Sequence, residues 1–145
     1  TYLSLHYHLV FSTKNREPLI DPNWRSTLHE YLGGTVKGLG GRPEGVGGTA
    51  DHVHLLVALK STHRLADFMR ELKKATSVWI REKTGLGHFA WQEGYGAFSV
   101  SAHARMAVRQ YIARQEEHHR RRTFREEFVE FLTRAGVEYD PKYLE

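Results

Sequence analysis

The order of two hydrophobic periodicities along the chain constrains its fold more than any other feature of the sequence. Period-two alternation predicts strands at residues 3–12, 51–59 and 97–101, and a weaker, glycine-rich strand at 44–49. Helical spacing recurs at residues 22–38, 65–83, 102–122 and 124–134. The order β-α-β-β-α-β predicts an α+β fold of the ferredoxin-like split type, an antiparallel sheet with helices on one face. A C-terminal helix carrying Tyr111 and a short extra helix follow.

The length of 145 residues suits one domain, which we expect to span residues 1–145 with residues 123–145 as a C-terminal tail. No apolar run approaches the roughly 20 residues of a membrane-spanning helix, and no charged-then-apolar leader opens the sequence. We therefore expect no membrane association. The chain contains no cysteine, which excludes disulfides and thiolate chemistry and suits a cytoplasmic location. Its ten histidines become the residues of interest for metal chemistry.

The triplet His52-Val53-His54 is the sharpest local feature. Residues i and i+2 of a strand point to the same face, so the two imidazoles lie side by side. Two polar rings in a buried position are costly unless something binds them, so burial of this pair would indicate a metal site. The alternative is a pair of exposed histidines on a solvated sheet face. A second pair, His6 and His8, shows that this spacing is not diagnostic by itself.

Tyr111 and Gln115 form the second feature, because residues four apart share one face of a helix. A tyrosine on an apolar helix face is ordinarily a core residue. A metal held by His52 and His54 needs an oxygen ligand, however, and a glutamine carbonyl supplies one. A phenol one turn away could then attack a phosphodiester whose charge the metal withdraws. This ligand set suits Mn²⁺ and leaves Mg²⁺ workable.

Basic residues form the third feature. The net charge of +4 permits a nucleic-acid partner without requiring one. A solvated charged face and a phosphate-binding surface both fit the pattern. The loop aromatics Phe89, Trp91 and Tyr95 could stack on unpaired bases or pin their loop to the core. The candidate DNA-binding residues are Lys14, Arg16, Lys73, Lys74 and Arg109.

Five segments in register give the sequence a wider resemblance. They are residues 7–11 (YHLVF), 51–57 (DHVHLLV), 70–73 (RELK), 91–95 (WQEGY) and 111–115 (YIARQ). Together they resemble the single-tyrosine HUH transposases of the IS200/IS605 type, including the REP-associated tyrosine transposases. The resemblance runs from about residue 2 to residue 115.

This resemblance implies roles for particular residues. His52 and His54 match the HUH histidines that bind the catalytic Mg²⁺ or Mn²⁺, and Gln115 matches a position that supplies a third metal ligand. Tyr111 matches the nucleophile that forms a 5′-phosphotyrosine link on single-stranded DNA and leaves a free 3′-hydroxyl. The resemblance also implies recognition of DNA hairpins near the ends of a mobile element and DNA recombination by transposition. It further implies a homodimer in which the helix that carries Tyr111 can serve the partner's site.

The sequence is compatible with other functions. A catalytically silent, domesticated transposase would still bind hairpin DNA. A binding module without catalysis would present aromatic residues on its central strands. A metal-dependent phosphodiesterase using water would not need Tyr111. The remaining histidines are interpreted as background, with His118 and His119 as solvated surface.

Overall fold

A computed structural model describes residues 1–120 and 122–143 of the chain. Arg121, within the predicted third helix, and the last two positions of the predicted tail lie outside the described residues. Short 3-10 turns occupy residues 14–16, 102–104 and 141–143. The strands are β1 (His6–Ser12), β2 (Arg42–Gly48), β3 (His52–Ala58) and β4 (Gly96–Val100). The helices are α1 (Pro22–Gly38), α2 (Leu65–Thr84), α3 (Arg105–Ala113), α4 (Gln115–His118) and α5 (Phe124–Ala135).

The four strands form one antiparallel sheet in the order β2-β3-β1-β4, which confirms the predicted α+β split arrangement. β1 begins at His6, three residues later than the alternation predicted. One sheet face packs on α1 and α2 through side chains with no solvent exposure, such as Leu9, Phe11 and Leu55. Each such side chain contributes about 1.5–3 kcal/mol by leaving water. This face is the main hydrophobic core.

The opposite sheet face carries the histidines. Val10 pairs with His54 and Ser12 with His52, so these four side chains emerge on the side away from α1 and α2. The segment from α3 to α5 covers this second face, and His52 and His54 are fully buried beneath it. The prediction of helices on one face holds for the two crossover helices, and the added C-terminal helices cover the other face.

The predicted single helix over residues 102–122 is wrong, because the chain turns at Arg114. Arg114 has φ −104° and ψ 23°, and its amide donates to the Tyr111 carbonyl three residues back. The turn separates α3, which carries Tyr111, from α4, which begins at Gln115. Gln115 is 1% exposed, so its tertiary contacts outweigh the continuity of the helix.

The glycines of β2 explain how α3 approaches the sheet. A Cβ built on Gly47 would lie 2.2 Å from the Ile112 carbonyl oxygen, closer than unbonded atoms come. A Cβ on Gly45 would lie 3.4 Å from the Arg109 side chain. Residues that look poor for a strand therefore let the Tyr111 helix rest directly on the sheet.

Replacing Gly47 with Ala should lower the free energy of unfolding by about 1–3 kcal/mol, because α3 must move off β2. Urea denaturation measures this loss. Gly87→Ala is the matched control, since nothing lies within 4 Å of its added Cβ. Equal stability of the two variants would contradict the close approach of α3.

The helix α5 has well-defined ends, near the predicted limits of 124 and 134. Thr123 and Glu126 form a capping box at its start, and Gly136 ends it at φ 68°. Phe131 contacts the rings of His8 and Phe98, so α5 lies over β1 and β4. No helix among the described residues combines the length and apolarity needed to cross a bilayer.

Candidate metal and nucleophile site

His52 and His54 are held so that their Nε2 atoms face one region. The Nδ1 atom of His52 lies 2.7 Å from an Asp51 carboxylate oxygen and 3.1 Å from the Thr49 hydroxyl. The Nδ1 atom of His54 lies 2.7 Å from the Nε2 atom of His8. Because each Nδ1 has a partner, each Nε2 is the ring nitrogen left for a ligand. Outer partners of this kind orient histidines in metal sites.

His8 thus belongs to the support of this site and not to the background where the sequence interpretation placed it. Burial lowers the pKa of His8 to about 4 and holds the pKa of His54 well below its usual 6.5. Both rings are therefore neutral at pH 7. A neutral imidazole is the form that binds a metal ion.

Gln115 and Tyr111 reach the same region from the α3–α4 segment. The Gln115 Oε1 atom lies 3.1 Å from the Nε2 atom of His52. The Tyr111 ring is 5.8 Å from the ring of His54, measured between centroids. Both contacts are made within one chain. The structure thus brings together all four residues that the sequence singled out for metal binding and nucleophilic attack.

Glu127 of α5 lies between Tyr111 and His54, and the sequence interpretation did not identify it. Its Oε1 atom lies 2.9 Å from the Nε2 atom of His54, and its Oε2 atom accepts a hydrogen bond from the Tyr111 hydroxyl. Glu127 is 2% exposed. A sequence signal did exist, since Glu127 interrupts the apolar stripe of Phe124, Phe128 and Phe131 on α5.

His118 and His119 also face this carboxylate, with Nε2 atoms 3.2 Å and 3.3 Å from the Glu127 Oε2 atom. Their interpretation as solvated surface is wrong, because the side chains are only 26% and 11% exposed. One potential ligand atom each from His52, His54, His119 and Glu127 lies within 4.8 Å of the others. These four side chains are close enough together to hold one metal ion.

Burial is the main influence on the charge of Glu127. It raises the pKa of that carboxyl from 4.5 to about 8, with smaller contributions from Glu130 and Asp51. Burial and the neighbouring His52 ring lower the pKa of His119 to about 4. In the absence of a cation, the centre thus favours a neutral Glu127 carboxyl group beside the neutral rings of His54 and His119.

The stability of the metal-free protein should peak near pH 6.5. Below this pH, the unfolded chain protonates at His8, His54 and His119 before the folded protein does, so acidification lowers the free energy of unfolding. The loss is about 3 kcal/mol for His8 alone by pH 4. His29 on α1 adds to this acid loss, because its pKa is lowered to about 4.

Glu127 acts in the opposite direction, since its folded pKa of about 8 exceeds the usual 4.5. Between pH 4.5 and 8 the folded protein holds a proton that the unfolded chain has lost, so this stabilising contribution declines over that range. The histidines outweigh the decline below pH 6.5, and stability falls from pH 6.5 to 8. Urea titrations at several pH values measure both sides of the peak. Glu127→Gln should abolish the alkaline decline and steepen the acid loss, and an alkaline decline that persists would contradict this assignment.

The candidate DNA-binding residues are spread over the molecule. Lys14 and Arg16 follow β1 at its Ser12 end, beside His52. Lys73 points its ammonium group at the loop carbonyls of Gln92 and Gly94, and burial lowers its pKa. Lys74 is exposed on α2, and Arg109 is exposed on α3 two residues before Tyr111. Their contact with DNA stays a prediction.

The aromatic loop is pinned to the core at two of its three rings. Phe89 and Trp91 are buried, and the Trp91 indole donates to the Thr76 hydroxyl over 3.0 Å. Tyr95 is 36% exposed. Only Tyr95 among these three is therefore accessible for base stacking.

Comparison with known proteins identifies the family of this chain. The family described as "Transposase IS200 like" matches residues 1–115, from before β1 to Gln115. The chain belongs to the IS200-like transposase family. It is thus a transposase, of the kind of enzyme that binds and cleaves DNA. Residues 116–145, including His119 and Glu127, lie beyond the matched region.

Individual relatives agree with the family assignment. The ISDra2 transposase TnpA of Deinococcus radiodurans is 26% identical over 120 residues, covering 78% of this chain and 85% of the relative. A candidate transposase from Deinococcus radiodurans R1, solved as a crystal structure, matches with a TM-score of 0.64 and 26% identity. That match covers 79% of this chain and 93% of the other.

A REP-associated tyrosine transposase, solved with a REP hairpin bound, shares the fold. Its TM-score is 0.57 at 14% identity, and the match covers 79% of this chain and 70% of that one. The resemblance inferred from the sequence is confirmed by these comparisons.

Proposed function

We propose that this IS200-like transposase cleaves and rejoins single-stranded DNA at hairpin-marked ends through a covalent link to Tyr111. One observation carries the proposal. A single carboxylate, that of Glu127, contacts both the Tyr111 hydroxyl and the Nε2 atom of His54. A phosphate group has a comparable spread of oxygen atoms. A phosphodiester in this position would touch the nucleophile and the candidate metal ligands together.

The donor set fits a divalent ion, Mn²⁺ or Mg²⁺. The Nε2 atoms of His52 and His54 and the Oε1 atom of Gln115 would hold it, because they converge and both rings have a partner at Nδ1. Two imidazoles and an amide oxygen match Mn²⁺ well, with phosphate and water as further ligands. When bound, the ion supplies positive charge that draws electrons from the phosphate.

The chain's own residues then perform the transfer. The Tyr111 oxygen attacks phosphorus after losing its proton, and the bond from phosphorus to the 3′ oxygen breaks. The leaving 3′ oxygen takes up a proton, so one strand ends in a 3′-hydroxyl and the other is joined by its 5′ phosphate to Tyr111. This ester replaces the one broken, and a second 3′-hydroxyl can reverse the step.

Hairpin DNA is the proposed partner, and the hairpin-bound structural neighbour supports this choice. We assign phosphate contacts to the basic residues named from the sequence, with Lys14, Arg16 and Arg109 nearest the site. We also propose that residues 1–145 act as one catalytic domain, as a homodimer in the cytoplasm. Within one chain Tyr111 already meets the centre, so a single chain contains every proposed catalytic group.

The test uses a single-stranded hairpin oligonucleotide with flanking sequence, incubated with the protein and Mn²⁺. A 3′ label should migrate with the protein on a denaturing gel, while a 5′ label should appear in a shorter free strand. Cleavage without a protein-linked label would indicate hydrolysis by water instead. Hairpin binding without cleavage under Mn²⁺ or Mg²⁺ would favour the catalytically silent alternative.

The silent alternative has one structural observation in its favour. Glu127 occupies the position proposed for the phosphate, so a phosphate can reach that position only if Glu127 moves. The alternative predicts that hairpin DNA leaves α5 in place. The active enzyme must move Glu127 away from Tyr111.

A further inference from the structure

Two residues in the segment after α3 lie outside the region that the family match covers, so the match assigns them no role. His119 and Glu127 lie beyond residue 115, yet both reach the HUH centre. Glu127 is 2% exposed and the His119 side chain 11% exposed. Buried histidine and glutamate side chains normally have a hydrogen-bonding, ionic or metal partner that compensates for the hydration they lose.

The first observation is an unsatisfied nitrogen. The Nε2 atom of His119 is buried and has no hydrogen-bond partner among the described residues, although it lies 3.3 Å from the Glu127 Oε2 atom. The His118 Nε2 atom is in the same condition. Buried polar atoms without partners are rare, and an ion is one of the things that satisfies them.

The second observation is the set of contacts around Glu127. Its carboxylate contacts imidazole nitrogens and a phenol, and among the described residues no lysine or arginine forms an ion pair with it. Imidazole nitrogens and a carboxylate oxygen that converge within 4.8 Å are a donor set that a divalent cation accepts.

We propose that Glu127 and His119 are additional ligands of the divalent ion in the DNA-free protein. The ion would thus have ligands from β3, from the end of α4 and from α5, drawn from within the 4.8 Å group described above. The inference rests on the proposed metal centre at His52 and His54. It adds that the ion holds α5 over Tyr111 until a DNA phosphate displaces the Glu127 carboxylate from the ion.

The consequence concerns access to Tyr111. The same Glu127 carboxylate accepts from the Tyr111 hydroxyl, so an ion bound through Glu127 also holds the nucleophile under α5. A phosphate that takes the place of Glu127 frees Tyr111 in the same exchange. Metal binding therefore stabilises α5 in the absence of DNA.

Binding of Mn²⁺ alone, without DNA, tests the inference. The free Mn²⁺ signal in electron paramagnetic resonance gives the affinity of the full chain. Glu127→Gln and His119→Asn should each weaken binding at least tenfold. Glu126→Gln, which removes the same charge from an exposed neighbour on α5, should stay within twofold.

His52→Ala separates this inference from the proposed function. Loss of Mn²⁺ in His52→Ala with unchanged affinity in Glu127→Gln and His119→Asn would overturn the additional ligands and leave the HUH metal centre standing. Unchanged affinity in His52→Ala would overturn both.

A second measurement on the wild-type chain does not depend on any variant folding. Hydrogen exchange of the α5 amides should slow at least fivefold when Mn²⁺ is added, while the α1 amides stay unchanged. Equal exchange of α5 with and without Mn²⁺ would show that no ion fastens this helix.

Discussion

Replacing Tyr111 with Phe should abolish the protein-linked DNA product and lower strand cleavage at least about 1000-fold, because the attacking oxygen is removed. Hairpin affinity should change less than twofold, since the ring remains against His54 and Phe131. A denaturing gel with a 3′-labelled hairpin measures the adduct, and a filter-binding titration measures the affinity.

Tyr95→Phe is the matched control for this experiment. Tyr95 is a partly exposed tyrosine in the loop before β4, and the site geometry gives it no catalytic part. It should retain the full adduct yield. An adduct that survives in Tyr111→Phe would mean that another residue is the nucleophile.

Replacing His52 with Ala should remove both Mn²⁺ binding and cleavage, with a rate loss of at least about 1000-fold in the presence of Mn²⁺. The imidazole donates one of the converging Nε2 atoms and positions Gln115 over a 3.1 Å contact. Hairpin binding should persist, because the basic residues that face phosphates are untouched.

Circular dichroism and a binding titration distinguish this result from unfolding. His88→Ala, at an exposed loop histidine, is the control and should behave as wild type. If His52→Ala loses its fold and its hairpin binding together, the histidines of β3 are structural instead.

The sheet and its two crossover helices could be predicted from periodicity, since alternation and helical spacing are local properties. The turn at Arg114 could not, because no glycine or proline marks it. It forms because burial of Gln115 against His52 is a tertiary contact. The glycine-rich segment of β2 was predicted only as a weak strand, for a similar reason. Their role depends on Ile112, which is distant in sequence.

The candidate site was likewise predictable only in part from the sequence. The spacing of His52 and His54, together with the resemblance, predicted which residues converge, and the structure places Tyr111 and Gln115 beside them. Their catalytic roles stay predictions. Glu127 and His119 were missed because local periodicity does not show that α5 folds back over the sheet face that carries the histidines. Only the acidic residue within an apolar helix stripe hinted at it.

Mass spectrometry of the trapped reaction tests the central claim most directly. The protein is incubated with Mn²⁺ and hairpin DNA, the DNA is trimmed with nuclease, and trypsin is added. Trypsin cuts after Arg109 and Arg114, so Tyr111 lies in the peptide of residues 110–114. We predict that this peptide carries a nucleotide joined through its 5′ phosphate to Tyr111. An unmodified peptide alongside cleaved DNA, or a nucleotide on a different residue, would contradict the assignment of Tyr111 as the nucleophile.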